Sequence, residues 1–359
     1  MKTNSALHVQ QGIPQPEPVS PYLQFKRKKR LSADAYMEGI LAGNRVVLSQ
    51  AITLVESTAQ QDIEIANQII EKCLPYSGNS IRIGITGVPG VGKSTFIEAF
   101  GKYLTAIGKK LAVLAVDPSS ELSKGSILGD KTRMEELAID PHAFIRPSPS
   151  GSTLGGVARK TRETIILCEA AGFDAILIET VGVGQSETVV KSMVDFFLLL
   201  MLSGAGDELQ GIKRGIMEMA DALIITKADG DNIAKATAAK ALYQSALQLF
   251  PKNESGWETP VGTCSVYHKD SIEKIWQLIS DFEKLTQENG FFLKHRTEQS
   301  VKTFFDWINH LLKERFYSNT LIENDLNNLI PEIRAGKISP YQAGGQLVQG
   351  YLDNGSTSF

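Results

Sequence analysis

GVPGVGKST, residues 87–95, follows the apolar run IRIGIT at 81–86. Gly87-Val-Pro-Gly-Val-Gly-Lys93-Ser94 matches G-x-x-x-x-G-K-[ST] in full, between a predicted strand and a helix opening near Thr95. Gly87, Gly90 and Gly92 let the backbone N–H groups of this loop, Val91 included, turn inward around the phosphates of a nucleotide. Lys93 would reach the β- and γ-phosphates, and the Ser94 hydroxyl would coordinate Mg²⁺. The helix N-terminus adds its partial positive charge. The alternative is a glycine turn that happens to carry a surface lysine. It leaves a complete match in this context unexplained.

Outward from the loop, short β-branched runs alternate with helical stretches from 81 to about 266. IRIGIT (81–86), LAVLAV (111–116), AILIET (175–180), FFLLLML (196–202) and ALIITK (222–227) read as strands, and VGTCSV (261–266) is a further candidate. Continuous apolar runs, rather than alternating ones, are what a sheet covered by helices on both faces requires. The expected fold is a doubly wound, mostly parallel α/β sheet, with ligands at the carboxyl ends of its strands. Helical extensions flank it. Residues 31–75 read as two helices, with Ser32 as an N-cap and Ile40, Val47, Leu48, Ile52 and Val55 near helical spacing. After 270, Ile272, Ile275, Trp276, Ile279 and Phe282 form one apolar stripe. Val301, Phe304, Phe305, Ile308, Leu311, Leu312 and Phe316 form another. Either stripe packs on the chain's own core or forms a subunit interface. The expected divisions are a disordered tail (1–30), a helical arm (31–78), a nucleotide-binding domain (79–270) and a helical extension (271–359).

The glycine loop does not choose between ATP and GTP. Thr226-Lys227-Ala228-Asp229, directly after a strand, does, because it resembles the [NT]-K-x-D element of GTP-binding proteins. The Asp229 carboxylate would accept from guanine N1–H and the exocyclic amine, neither of which adenine offers. Each such bond to a charged group is worth roughly 1.5–3 kcal/mol. The Lys227 stem would cover one face of the base. Thr226 replaces the commoner Asn, which puts the bracing of the loop in question. Cys264-Ser265-Val266, at the next strand end, would offer backbone N–H groups to guanine O6.

Mg²⁺ prefers near-octahedral oxygen ligation. Asp117 ends LAVLAV, Glu179 ends the AILIE run, and Asp130 sits in GSILGDKTRM. With Ser94, these are the candidate metal ligands, Glu179 as the counterpart of a Walker B acid. Gly182 would donate its N–H to a γ-phosphate and move when that phosphate leaves. Ras-like enzymes place a water-ordering Gln directly after this glycine. Here Val183 follows, and Gln185 comes two residues later, so hydrolysis by the isolated protein is expected to be slow and partner-stimulated.

Composition sets outer limits. Among 359 residues the net charge is −3, so no global field favours nucleic acid or an anionic membrane. FKRKKR at 25–30 reads as a solvated basic face before a helix. No apolar run is long enough to span a bilayer. Cys73, Cys168 and Cys264 form no CxxC pair, which suits a reducing compartment such as the cytoplasm.

Taken together, LAVDPSS (114–120), GDKTRM (129–134), FIRPSPSGSTLGGVARKT (144–161), ETVGVGQSE (179–187) and GAGDELQGIKRGIMEMAD (204–221) resemble the methylmalonyl-CoA mutase-associated GTPases. These MeaB or ArgK-like proteins lie within the SIMIBI class of P-loop GTPases. The likeness covers roughly residues 31–340. It implies a homodimer with a central G domain, a helical arm and a helical dimerisation extension. It implies a GTP-hydrolysing chaperone that protects or reactivates an adenosylcobalamin-dependent mutase and gates its cofactor loading. It associates Asp117, Asp130 and Glu179 with the Mg²⁺ site, and Asp207 to Arg214 with a third switch. Lys213 and Arg214 would there reach phosphate or partner, or remain a solvated loop.

Two other functions fit these residues less well. Nickel-delivering relatives carry His-rich or Cys-containing metal sites, whereas His8, His142, His268, His295 and His310 are isolated. A kinase linked to amino-acid transport would need a phosphoacceptor pocket that no motif supplies. No D-x-H-x-x-G run offers a cobalamin site.

Overall fold

The computed structural model describes residues 30–116, 134–147, 154–180, 186–204, 214–251 and 253–355. The tail, Asp117, Asp130, Gly182, Val183, Gln185 and the run Asp207–Lys213 lie outside the described residues.

The stretch 31–75 holds three helices rather than two: α1 (Ala33–Leu41), α2 (Arg45–Glu56) and α3 (Gln60–Cys73). Ser32 caps α1, its hydroxyl accepting from Ala35 N–H at 3.2 Å. Gly43, at φ +71°, then turns the chain, and Asn44 caps α2 through the amides of Val46 and Val47. Extended residues at Ser57 and Ala59 separate α2 from α3. Helical periodicity alone does not register two such short breaks.

The sheet follows: β1 (Ile81–Gly87), α4 (Lys93–Ala106), β2 (Leu111–Val116), α5 (Glu135–Ile139), β3 (Ala143–Arg146), α6 (Leu154–Ala170), β4 (Ala175–Thr180), α7 (Ser186–Lys191) and β5 (Phe196–Met201). It is completed by α8 (Arg214–Met219), β6 (Ala222–Ile225), α9 (Ile233–Leu247) and β7 (Val261–Thr263). The seven strands are all parallel, in the order β3-β2-β4-β1-β5-β6-β7. Six were expected; β3, only four residues long and at an edge, is the addition.

The continuous apolar runs resolve by period-two alternation onto two faces of the sheet, and Leu199, Met201, Leu223 and Ile225 form a further cluster with Tyr243 of α9. Ala112, Leu114, Val116, Ile176 and Ile178 face the arm, packing with Ile40, Leu48, Ile52 and Ile69 and with α6. Leu111, Val113, Ile83, Ile85, Leu177, Phe196 and Leu198 face the other way, against Phe96, Phe100 and Leu104 of α4. The arm is therefore part of the sheet's own core. Cys73, Cys168 and Cys264 are all free and buried. Burial pushes the Cys73 thiol up to about 11 and that of Cys264 up to about 12, and raises Cys168 further still.

Four helices close the chain: α10 (Lys269–Glu288), α11 (Phe291–Tyr317), α12 (Thr320–Arg334) and α13 (Pro340–Gly355). The first C-terminal stripe packs on the chain's own core: Ile272, Ile275, Ile279 and Phe282 are buried beside α4, and Phe282 meets Phe196 and Trp257 edge-on. Most of the second stripe does not: Val301, Phe304, Phe305, Leu311 and Leu312 on α11 are exposed. Among the described residues, no helix is long and apolar enough to cross a membrane.

Candidate functional site: a phosphate loop and a base-reading corner

β1 enters the site between β4 and β5, the point at which the chain crosses from one side of the sheet to the other. A crevice at the strand carboxyl ends is expected there. Gly87 closes β1 so tightly against β5 that an added Cβ would lie 2.4 Å from Leu200 O. Gly90 and Gly92 serve a different purpose. Nothing crowds them, but their φ values of +76° and +89° lie in the left-handed region. Gly92 is the N-cap of α4. The first amide of α4 to find a backbone acceptor is that of Phe96, on Gly92 O at 2.9 Å. The amides of Lys93, Ser94 and Thr95 precede it, at the helix end where donors lack intrahelical acceptors. Lys93 Nζ donates to Gly87 O at 2.9 Å, folded back over the loop. A cradle of amides, a lysine and an unobstructed left-handed turn fits a phosphate chain.

The corner formed by Thr226, Lys227 and Asp229 is braced against this loop. Thr226 is buried, and its hydroxyl lies 2.9 Å from Val91 O and 3.2 Å from Met201 O. A threonine thus fastens this segment to the phosphate loop where asparagine is commoner. Lys227, at φ +55°, sends Nζ 2.9 Å to Gly90 O, laying its aliphatic stem between the two segments. Asp229 Oδ2 accepts from Ser265 Oγ at 2.7 Å, so the serine fixes the carboxylate. The Cys264 amide is engaged in the sheet, donating to Ile225 O at 2.8 Å, and Cys264 O accepts from Ala228 N–H.

Sequence reasoning missed Asn232, whose amide donates to Lys227 O at 2.6 Å while its Oδ1 accepts from Ser203 Oγ at 2.6 Å. No motif marks this brace, because it joins residues from separate loops.

Acidic groups stand beside the lysine. Glu179, near the end of β4, is buried. The register sets Val116, the last residue of β2, level with Thr180, and the Thr180 hydroxyl bonds that of Thr86 on β1 at 2.8 Å. Glu187, in the first turn of α7, is also buried. Burial lowers the pKa of Lys93 below the ordinary lysine range, while the charges of Glu179 and then Glu187 pull it back up. Glu187 had been given no role from sequence; the signal was an acid just past the loop that follows β4. The Glu179 carboxylate and the Ser94 hydroxyl are oxygen donors of the kind Mg²⁺ takes, whereas the Lys93 ammonium has no lone pair to offer a metal. Among the described residues no group of three or more His, Cys, Asp or Glu could hold a metal ion by itself.

The profile described as methylmalonyl Co-A mutase-associated GTPase MeaB matches residues 48–321. GTPase ArgK of Escherichia coli K12 is 46% identical over 308 residues, covering 83% of this chain and 93% of its own. The mitochondrial methylmalonic aciduria type A homolog of Mus musculus is 43% identical over 334 residues, covering 90% and 80%. A crystal structure described as a LAO/AO transport system kinase matches with a TM-score of 0.71 at 36% identity, covering 89% of this chain and 97% of that one. With the phosphate loop in place at the sheet's crossover, these matches show that the chain belongs to the MeaB family of methylmalonyl-CoA mutase-associated GTPases and is itself a GTPase.

Proposed function

We propose that this GTPase is a nucleotide-gated chaperone of an adenosylcobalamin-dependent acyl-CoA mutase, with methylmalonyl-CoA mutase as its client. It would protect or reactivate that enzyme and gate the loading of its cofactor, and it would work as a homodimer. The observation that carries the nucleotide half is the bracing of Thr226, Lys227 and Asp229 against the phosphate loop and Ser265. The client half is supported by the family description and by the name of the mouse relative.

In this reading Gly87, Gly90, Val91, Gly92, Lys93, Ser94 and Thr95 hold the phosphates of GTP or GDP. Asp229 reads guanine, the Lys227 stem covers its face, and the amides of Ser265 and Val266 meet O6. Ser94 and Glu179, with Asp117 and Asp130, would hold Mg²⁺, which would neutralise charge building on the phosphate oxygens. Lys93 adds to that neutralisation, and the Gly182 amide registers the terminal phosphate. Val183 cannot order an attacking water, so hydrolysis is slow until a partner reshapes the site.

A nucleotide shifts a complex only by its differential affinity for two states. The test is to titrate the protein with GDP and with a non-hydrolysable GTP analogue, alone and with purified methylmalonyl-CoA mutase. The ratio of the two affinities is expected to change when the mutase is added. An unchanged ratio would end the gating proposal.

A further inference from the structure

Helix α7 is one and a half turns long and links two environments. Its first turn carries buried Glu187, whose charge acts on Lys93 of the phosphate loop. Its far end is closed by Ser192, whose Oγ donates to Val189 O at 2.7 Å and accepts from Arg162 at 2.8 Å. Arg162 projects from α6. Its other terminal nitrogen lies 3.6 Å from Asp306 on α11, and its Nε, though buried, has no hydrogen-bond partner among the described residues.

Helix α11 grips the connection from α7 to β5 at two more places. Gln299 donates to Val194 O at 2.8 Å, and Arg296 donates to both oxygens of Asp195 at 2.7 and 2.6 Å. Next to Asp306, Trp307 lies under the Arg159 guanidinium, 4.1 Å from the ring centroid. Arg296, Gln299, Asp306 and Trp307 fall on one side of α11, while the exposed Val301, Phe305 and Leu312 fall on the other.

This juxtaposition has a mechanical consequence. Helix α7 packs on the two strands that end at this site, Val190 lying over Gly84 of β1 and beside Ile178 of β4, so a phosphate that seats on the loop after β1 acts on α7 and on the buried Glu187 of its first turn. Asp195 is clamped, so a movement of α7 is taken up at Ser192. A partly buried guanidinium whose Nε is unbonded has a second arrangement within reach, releasing Ser192 and closing on Asp306, and two discrete arrangements are what a switch needs. We propose that Arg162 is a positioning residue that carries the nucleotide state of the phosphate site from α7 to α11. The proposal rests on the guanine-nucleotide reading of that site.

The test uses the full chain labelled with 5-fluorotryptophan. Its three tryptophans are Trp257, Trp276 and Trp307, and Trp307→Phe assigns the third fluorine resonance. That resonance is expected to differ between the complexes with GDP and with a non-hydrolysable GTP analogue, each with Mg²⁺. The difference should shrink by about twofold or more in Arg162→Ala. It should shrink likewise in Asp306→Asn, whose side chain is half exposed and whose urea midpoint is expected to stay close to that of the wild type. A Trp307 resonance that is identical in the two complexes of the wild type, or that moves equally in wild type and Asp306→Asn, would overturn the proposal. Nucleotide affinity is measured on the same samples by competition with a fluorescent GDP. Loss of all binding there would overturn the site assignment along with the switch, whereas native affinity with a silent Trp307 would overturn the switch alone.

Discussion

Ser265 follows Asp229 by 36 positions, yet its hydroxyl is the group that aims the carboxylate. A carboxylate left to rotate loses part of its alignment with the two guanine donors. Removing one hydrogen bond of this kind costs about 1 kcal/mol. Ser265→Ala should therefore weaken GTP and GDP by about fivefold and leave the weak binding of ATP unchanged, as read by nucleotide competition. Asp229→Asn should go further and collapse the ratio of GTP to ATP affinity; an unaltered ratio would remove Asp229 from the base site. At this scale the sequence was most informative where chemistry demands contiguous residues. Lys93 and Ser94 follow their glycines directly, and Lys227 and Asp229 stand one residue apart. It was silent where two distant residues meet, as Asn232 does with Ser203, because such pairs exist only once the strands are set side by side.

The two kinds of glycine in the phosphate loop separate the stability of an element from its function. At Gly87 a methyl group would strike the Leu200 carbonyl, a backbone atom that β5 cannot withdraw. Gly87→Ala should destabilise the fold by about 1–3 kcal/mol, the usual range for overpacking, seen as a lower urea midpoint. At Gly90 there is room but a left-handed backbone, which costs a β-carbon about 1–2 kcal/mol. The Gly90 loop relaxes at little cost to the core, so Gly90→Ala should show its effect chiefly as faster GDP release. Equal urea midpoints for Gly87→Ala and the wild type would contradict the close approach. The principal strands were legible because buried parallel strands are apolar throughout. Strand β3 was not, since AFIR is too short to carry a pattern and its last two residues are only partly buried. The two C-terminal stripes looked equivalent in sequence, yet α10 buries its own beside α4 while α11 leaves most of its own open. Periodicity identifies an apolar face without naming what it meets.

Across the whole molecule, a chain of charges at the amino ends of the strands joins arm, sheet and C-terminal helices. Glu169 has a fully buried side chain and accepts from Ser80, from the Gly78 amide and twice from Arg82. Arg296 binds Asp195 and also donates to Gly78 O. Burial pushes the Glu169 carboxyl upward, but the Arg82 hydrogen bonds and charge outweigh it and hold the group below its ordinary 4.5. The unfolded chain therefore binds the proton more readily. This contribution to stability is complete above about pH 4.5 and drains away as pH falls through the lower native value. Arg82→Ala strands a buried carboxylate and should cost about 3–5 kcal/mol at pH 7. Without Arg82 chiefly Ser80 and the charge of Arg296 still oppose burial, so the Glu169 carboxyl moves upward and the gap in urea midpoint between variant and wild type should narrow as pH falls from about 7 to about 4; a constant gap would show that Glu169 is not the titrating group. None of this network was read from the sequence, because the stretch from Gly78 to Arg82 and the residues Glu169, Asp195 and Arg296 come from four separate segments. The three enclosed cysteines offer a last consequence. An alkylating reagent can reach Cys73 and Cys168 only when the arm side breathes, and Cys264 only when the opposite layer does. Peptide mass mapping over time would thus clock the opening of each layer separately, with no label added beforehand.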